Sequence, residues 1–195
     1  MPKFNPDKDI PNLSGKVILV TGGNNGLGKE TVLQLSKHEP AHIFLAARSE
    51  AKALPAIEEM CKAVPDAAPI TFIPLDLASF DSIKQAAASF KAQSSQLHVL
   101  INNAGIMGTP AGTTKEGYEV QFGTNYVGHA LLTKLLLPML DKNAIVLSQV
   151  FPAHSSSFRL EGTDSPRNSE SIHPHYGVSP RPSPGNPCEQ HQGED

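Results

Sequence analysis

Short apolar runs rich in β-branched residues alternate along this chain with longer stretches whose apolar positions recur every three or four residues. The runs KVILV (16–20), HIFLAA (42–47), ITFIPLD (70–76), LHVLINN (97–103) and AIVLS (144–148) read as strands. Between them, GLGKETVLQLSKH (26–38) reads as a helix. SEAKALPAIEEMCKAV (49–64) reads as a helix interrupted near Pro55, and SFDSIKQAAASFKAQ (79–93) as one capped by Ser79. Residues 116–140 read as one long apolar-striped helix. Strands that are apolar on both faces and alternate with helices predict a parallel sheet covered on both sides. Right-handed crossovers then give the doubly wound α/β order 3-2-1-4-5.

The pattern ends near residue 150. Of the chain's 17 prolines, 7 lie between 152 and 195, and beyond Leu160 the only aliphatic or aromatic residues are Ile172, Tyr176 and Val178. Such a segment buries too little apolar surface to offset the entropy of ordering it. The expected organisation is therefore an N-terminal extension (1–14), a folded domain (15–150) and a Pro/Ser-rich disordered tail (151–195). A net charge of −3 argues against a nucleic-acid partner. The start of the chain has no secretory h-region, and no run of 18 apolar residues exists to span a membrane. Cys61 and Cys188 form neither a disulfide framework nor a metal-ligand spacing; they are expected to be free thiols in the cytoplasm, with no metal site.

VTGGNNGLGKE joins the first strand to the first helix, with Gly22, Gly26 and Gly28 spaced G-x-x-x-G-x-G. Glycine adopts the positive φ of a tight turn cheaply, and its missing Cβ admits a phosphate close to the backbone. The helix that follows offers free N–H groups to that phosphate. In a strand–loop–helix context this points to a Rossmann-type dinucleotide site. Arg48 follows Gly28 by 20 residues, at the end of the second strand. An acidic residue there would bind a ribose 2′-hydroxyl, whereas arginine suits a 2′-phosphate; NADP(H) is the expected cofactor.

LSGKVILVTGGNNGLGKETV, AARS, LDLAS, VLINNAGIM and GYEVQFGTNYVGHALLTKLLLPML, in this order, resemble the short-chain dehydrogenase/reductase superfamily, most closely its retinol-dehydrogenase-like branch. The resemblance implies that Thr21, Gly22, Asn25, Gly26, Leu27 and Gly28 hold the pyrophosphate, with Leu27 toward the nicotinamide. It implies that Asp76 and Leu77 frame the adenine, and that Asn103, Ala104 and Gly105 close over the adenine ribose. Asn125 matches the family's catalytic asparagine, which anchors a water; the alternative is a buried asparagine bonded to backbone. His129, one turn on, reads as a packing residue. Ser148 stands where the family places its catalytic serine. The family usually reads Ser-Ser there, the second being the one that polarises the carbonyl, and this chain reads Ser148-Gln149.

Tyr176, in HYGVSP, matches the family's catalytic tyrosine, but the lysine expected one turn later is Pro180. Pro182, Pro184 and Pro187 follow, and proline costs ~3 kcal/mol inside a helix. The chain is accordingly expected to be a C-terminally abbreviated member of the family. The leading functional expectation is an NADP(H)-dependent oxidoreductase acting on a small carbonyl or alcohol, impaired by the missing lysine. The alternative is a non-catalytic dinucleotide-binding relative. A homo-oligomer through residues 116–140 is expected.

Overall fold

The computed structural model describes residues 4–149. After a short turn of helix, α1 (Pro6–Asp9), the chain enters β1 (Val17–Thr21), α2 (Gly26–Ser36), β2 (His42–Ala47), α3 (Glu50–Ala63), β3 (Ile70–Pro74), α4 (Phe80–Gln93) and β4 (Leu97–Asn102). The remaining elements are α5 (Val120–Phe122), a π-helical turn (Gly123–Val127), α6 (Gly128–Leu136), a 3-10 turn (Leu137–Met139) and β5 (Leu140–Ser148). The five strands are parallel in the order β3-β2-β1-β4-β5, as the alternating pattern predicts.

Strand alternation divides the interior into two cores. Ile18 and Val20 of β1 and Ile43 and Leu45 of β2 face α2 and α3, packing with Val32, Ile57 and Met60. Leu19 and Phe44 point the other way, onto Ile83 and Phe90 of α4 and Leu132 and Leu136 of α6. Phe44 meets Phe90 edge-on at 4.9 Å between centroids. All these side chains are essentially inaccessible, which explains why the central strands are apolar on both faces.

Four local expectations are corrected. Pro55 does not interrupt α3, which runs unbroken from Glu50 to Ala63. The only intrahelical acceptor that its missing N–H orphans is the carbonyl of Ala51, an exposed residue that water can reach, while Ala53, Ala56, Ile57 and Met60 hold the opposite face in the core. The helix expected over 116–140 begins only at Val120, capped by Glu119, whose carboxylate accepts from the N–H groups of Gln121 (2.9 Å) and Phe122 (2.6 Å). It ends before Pro138, and β5 begins at Leu140 rather than 144. Its register against β4 slips between the pairs Leu97↔Leu140 and Val99↔Ile145, which absorbs the extra residues as a bulge. Cys61 is not free, contrary to the thiol expected there. Ser79 does cap α4, accepting from the N–H of Ser82 at 3.4 Å.

Candidate active site

The carboxyl ends of β1, β2 and β4 open onto a groove of about 390 Å³. The turn out of β1 forms its floor: Gly22 and Gly26 take φ of +68° and +52°, and Asn25 leads into α2 in extended backbone. A Cβ on Gly28 would strike the carbonyl oxygen of Gly22 and the side-chain amide of Asn103. The loop thus passes closer to β4 than any other residue allows. Leu27 sits exposed on its rim. Arg48 and Ser49 close one end with Lys52, from the first turn of α3; Leu75 and Leu77 form a wall, and Asn103, Ala104 and Gly105 the far side.

Of the residues singled out from sequence, Gly22, Asn25, Gly26, Leu27, Gly28, Arg48, Leu77, Asn103, Ala104 and Gly105 all line this groove. Thr21 and Asp76 do not line it. Asp76 lies beside the wall, one carboxylate oxygen accepting from the N–H of Ala78 at 3.0 Å. Thr21 is wholly buried and acts beneath the floor. Its hydroxyl oxygen accepts from the N–H groups of Asn103 (3.0 Å) and Ala104 (2.9 Å), while Asn103 Nδ2 donates to the Thr21 carbonyl at 2.8 Å. The threonine therefore ties β1 to the turn after β4 and sets the groove's width.

The same hydroxyl stands 2.9 Å from Nε2 of His129, whose Nδ1 is 2.9 Å from the carbonyl oxygen of Asn125. A carbonyl only accepts, so Nδ1 carries the proton and Nε2 takes the hydroxyl hydrogen of Thr21. Every polar atom of the two side chains is thereby matched in the neutral imidazole. Burial pushes the His129 pKa down, more strongly than the Asn125 carbonyl pulls it up. The expected packing histidine is also a polar link between β1 and α6.

Asn125 lies in the π-helical turn, a distortion found often at functional positions. Its amide closes a ring with the backbone of Ile106, accepting from the N–H at 2.9 Å and donating to the carbonyl at 2.8 Å. One N–H and one lone pair of the amide remain. Asn125 and His129 line a second groove, of about 440 Å³, between α6 and β5, with Asn102, Thr133, Ser148 and Gln149. Ser148 Oγ accepts from Asn102 Nδ2 at 3.2 Å, and the same amide nitrogen donates to Thr133 Oγ1 at 3.2 Å. The structure thus brings Asn125 and Ser148 together around one groove. Tyr176 lies outside the described residues.

Residues 16–146 match the family described as short chain dehydrogenase. The chain belongs to that family. Within it, the chain is 51% identical over 140 residues to a short-chain dehydrogenase/reductase of Armillaria gallica, covering 71% of this chain and 44% of that protein. It is 40% identical over 132 residues to retinol dehydrogenase 12 of Mus musculus, covering 68% of this chain and 41% of the relative; the expected retinol-dehydrogenase-like branch holds. A solved structure from Mycobacterium paratuberculosis superposes with a TM-score of 0.60 at 35% identity, over 70% of this chain and 47% of its own. The chain spans less than half the length of each of these three proteins. Among solved structures of this fold, one of Pseudomonas aeruginosa RhlG is a complex with NADP, and one of a short chain dehydrogenase/reductase from Burkholderia phymatum is a complex with NAD.

Two features of the groove fit a molecule of this kind. The site of Gly28 leaves a cradle that a single methyl would fill. Thr124 lines the same groove with a buried hydroxyl that has no hydrogen-bond partner among the described residues. Lys52 and Thr124 were not legible from sequence. Lys52 is one of several lysines on a helical pattern, and the placement of Thr124 depends on where the π-helical turn falls.

Proposed function

We propose that this chain is an NADP(H)-dependent short-chain oxidoreductase, working in the cytoplasm on a small carbonyl or alcohol. The observation that carries the cofactor preference is the pair of cations at one end of the groove, Arg48 and Lys52, with no carboxylate among the described residues that line it. A 2′-phosphate placed there is paired by a guanidinium and an ammonium, while a bare ribose gains little from either. The glycine turn and the first N–H groups of α2 receive the pyrophosphate. Asp76, beside the wall, accepts from the adenine amine. When bound, the nicotinamide supplies or takes the hydride. Around the second groove Asn125 holds a water with its spare donor and acceptor, and Ser148 offers a hydroxyl to the substrate oxygen.

Tyr176 is the proposed proton donor and acceptor. An unassisted phenol titrates near ~10, and this chain has Pro180 where the family places the lysine that lowers that value. Alcohol oxidation, which needs the phenolate, should therefore climb with pH toward ~10 instead of levelling near neutrality. Isothermal titration with NADPH and NADH, followed by assays over a panel of aldehydes and alcohols, tests the whole reading. NADPH is expected to bind more tightly, and Arg48→Ala to erase roughly tenfold to a hundredfold of that preference. Equal affinity for the two cofactors would overturn the cofactor preference. Binding without turnover would leave only the dinucleotide-binding relative.

A second copy of the chain is proposed to cover the stripe Tyr118, Phe122 and Tyr126. The rings of Phe122 and Tyr126 stack at 5.4 Å, and all three side chains are solvent-facing. Sedimentation across a hundredfold concentration range tests this.

A further inference from the structure

Among the described residues β5 ends the sheet, with no strand beside its outer edge. The N–H of Gln149 donates to the carbonyl of Asn102 at 3.0 Å, so the backbone of Gln149 turns toward β4. Successive residues of a strand turn their N–H and C=O groups to opposite sides. Ile145 and Leu147 therefore bond β4 as Gln149 does, and Ala144, Val146 and Ser148 offer their N–H and C=O groups outward. Alternation sorts the side chains too. Val146 and Ser148 line the second groove, while Ile145 and Leu147 stand on the opposite face. The side chains of Ile145, Val146 and Leu147 are all exposed. Edge strands are ordinarily guarded by charge or proline, and from Asn143 to Gln149 this one has neither.

We propose that a second copy of this chain pairs with that edge, β5 antiparallel to β5, about a two-fold axis through Val146. Symmetry and chemistry together select this register. A two-fold axis sets each residue opposite one equally far beyond it. With the axis at Val146, the outward groups of Ala144, Val146 and Ser148 meet those of Ser148, Val146 and Ala144 in the other copy. Ile145 then faces Leu147 in the closer, non-hydrogen-bonded pairs, twice over. Asn143 faces Gln149, carboxamide to carboxamide. Moving the axis to Ile145 would set Leu147 against Asn143, and moving it to Leu147 would set Ile145 against Gln149. Because the paired stretch is uncharged, the two copies bring no like charges together.

The axis stands perpendicular to the sheet, so each face stays on its own side. On one face the two isoleucines and two leucines close into a single cluster. On the other the second grooves of the two copies abut, and the second copy's β5 extends the floor on which Ser148 stands. One strand pair is narrower than a standard interface of ~1,600 Å², so dimerisation is expected at micromolar protein.

Sedimentation velocity of the full chain across a hundredfold concentration range is the test. It is run in the Phe122→Glu background, which removes the aromatic stripe as a second contact. Dimerisation is expected there. Ile145→Lys alone and Leu147→Glu alone each leave a charge facing an apolar partner, and each should weaken the dimer at least about tenfold. Combined in one chain they should restore it, because each new ammonium then faces a new carboxylate across the axis. Either neighbouring register would instead set like charges together. Circular dichroism at the lowest concentration should match the parent for every variant, since both side chains are exposed. A chain that stays monomeric throughout, a dimer indifferent to both single changes, or a combined variant that remains monomeric would each overturn the proposal.

Discussion

At the scale of single residues, Gly28 and His129 answer to different physics. Gly28 is a matter of volume. Gly28→Ala pushes a methyl into the Gly22 carbonyl and the Asn103 amide, so backbone must move. The expected result is a cost of about 1–3 kcal/mol in urea unfolding and at least a tenfold loss of NADPH affinity by titration. His129 is a matter of protons. Its folded-state pKa is lowered, so below ~6.5 the unfolded chain binds a proton that the folded one resists. The stabilising link to Thr21 is thus fully present above ~6.5 and lost as pH falls toward the folded value. Melting temperature should drop between neutral and mildly acidic pH, and the slope should shrink in His129→Gln. Some slope will remain, because burial lowers His42 in the same direction. The glycines announced themselves through their spacing, as did Arg48 through its distance from them. Thr21 looked like a phosphate ligand because it adjoins the turn; only the placement of β4 beside β1 shows its hydroxyl facing inward. Gln149 carried no signal of its own beyond interrupting an expected Ser-Ser pair.

At the scale of elements, periodicity revealed which segments are strands and helices, and failed where backbone chemistry and packing disagree. Pro55 is the clearest case. Its propensity cost is real, yet the face formed by Ala53, Ile57 and Met60 keeps α3 continuous. Pro55→Ala should therefore restore one hydrogen bond without altering the fold. Its urea midpoint should rise by the equivalent of about 1–3 kcal/mol, with an unchanged slope. The π-helical turn had no such marker. Apolar spacing through residues 120–136 fits an unbroken α-helix, and what the spacing hides is close approach: a Cβ on Gly128 would come within 2.5 Å of the Leu77 carbonyl, and one on Gly123 would strike Thr114. These two glycines let the helix dock on the loops after β3 and β4, where Asn125 meets Ile106.

At the scale of the molecule, the sheet is covered unevenly. The strands β1 and β2 are buried on both faces, whereas Ile145 and Leu147 of β5 are 54% and 52% exposed. Alternation places these two on one face of the edge strand, which makes an adhesive surface. Leu147→Lys should lower light scattering on heating while leaving the melting temperature within about 0.5 kcal/mol of stability. The doubly wound order was readable because short crossovers admit few topologies. Cover on β5 is a property of contacts rather than of composition, and its residues look like those of any buried strand.

The order β3-β2-β1-β4 has a consequence in time. After β1, each strand pairs with one made before it, and apart from Thr124 and Gln149 every described residue lining the first groove lies between Gly22 and Ile106. A growing chain that has just released Ile106 from the ribosome already carries the glycine turn, the two cations and the β4 wall, with α6 and β5 still unmade. A ligand of that groove present during synthesis would stabilise the half-built sheet by mass action, and its supply would then act on the yield of folded protein.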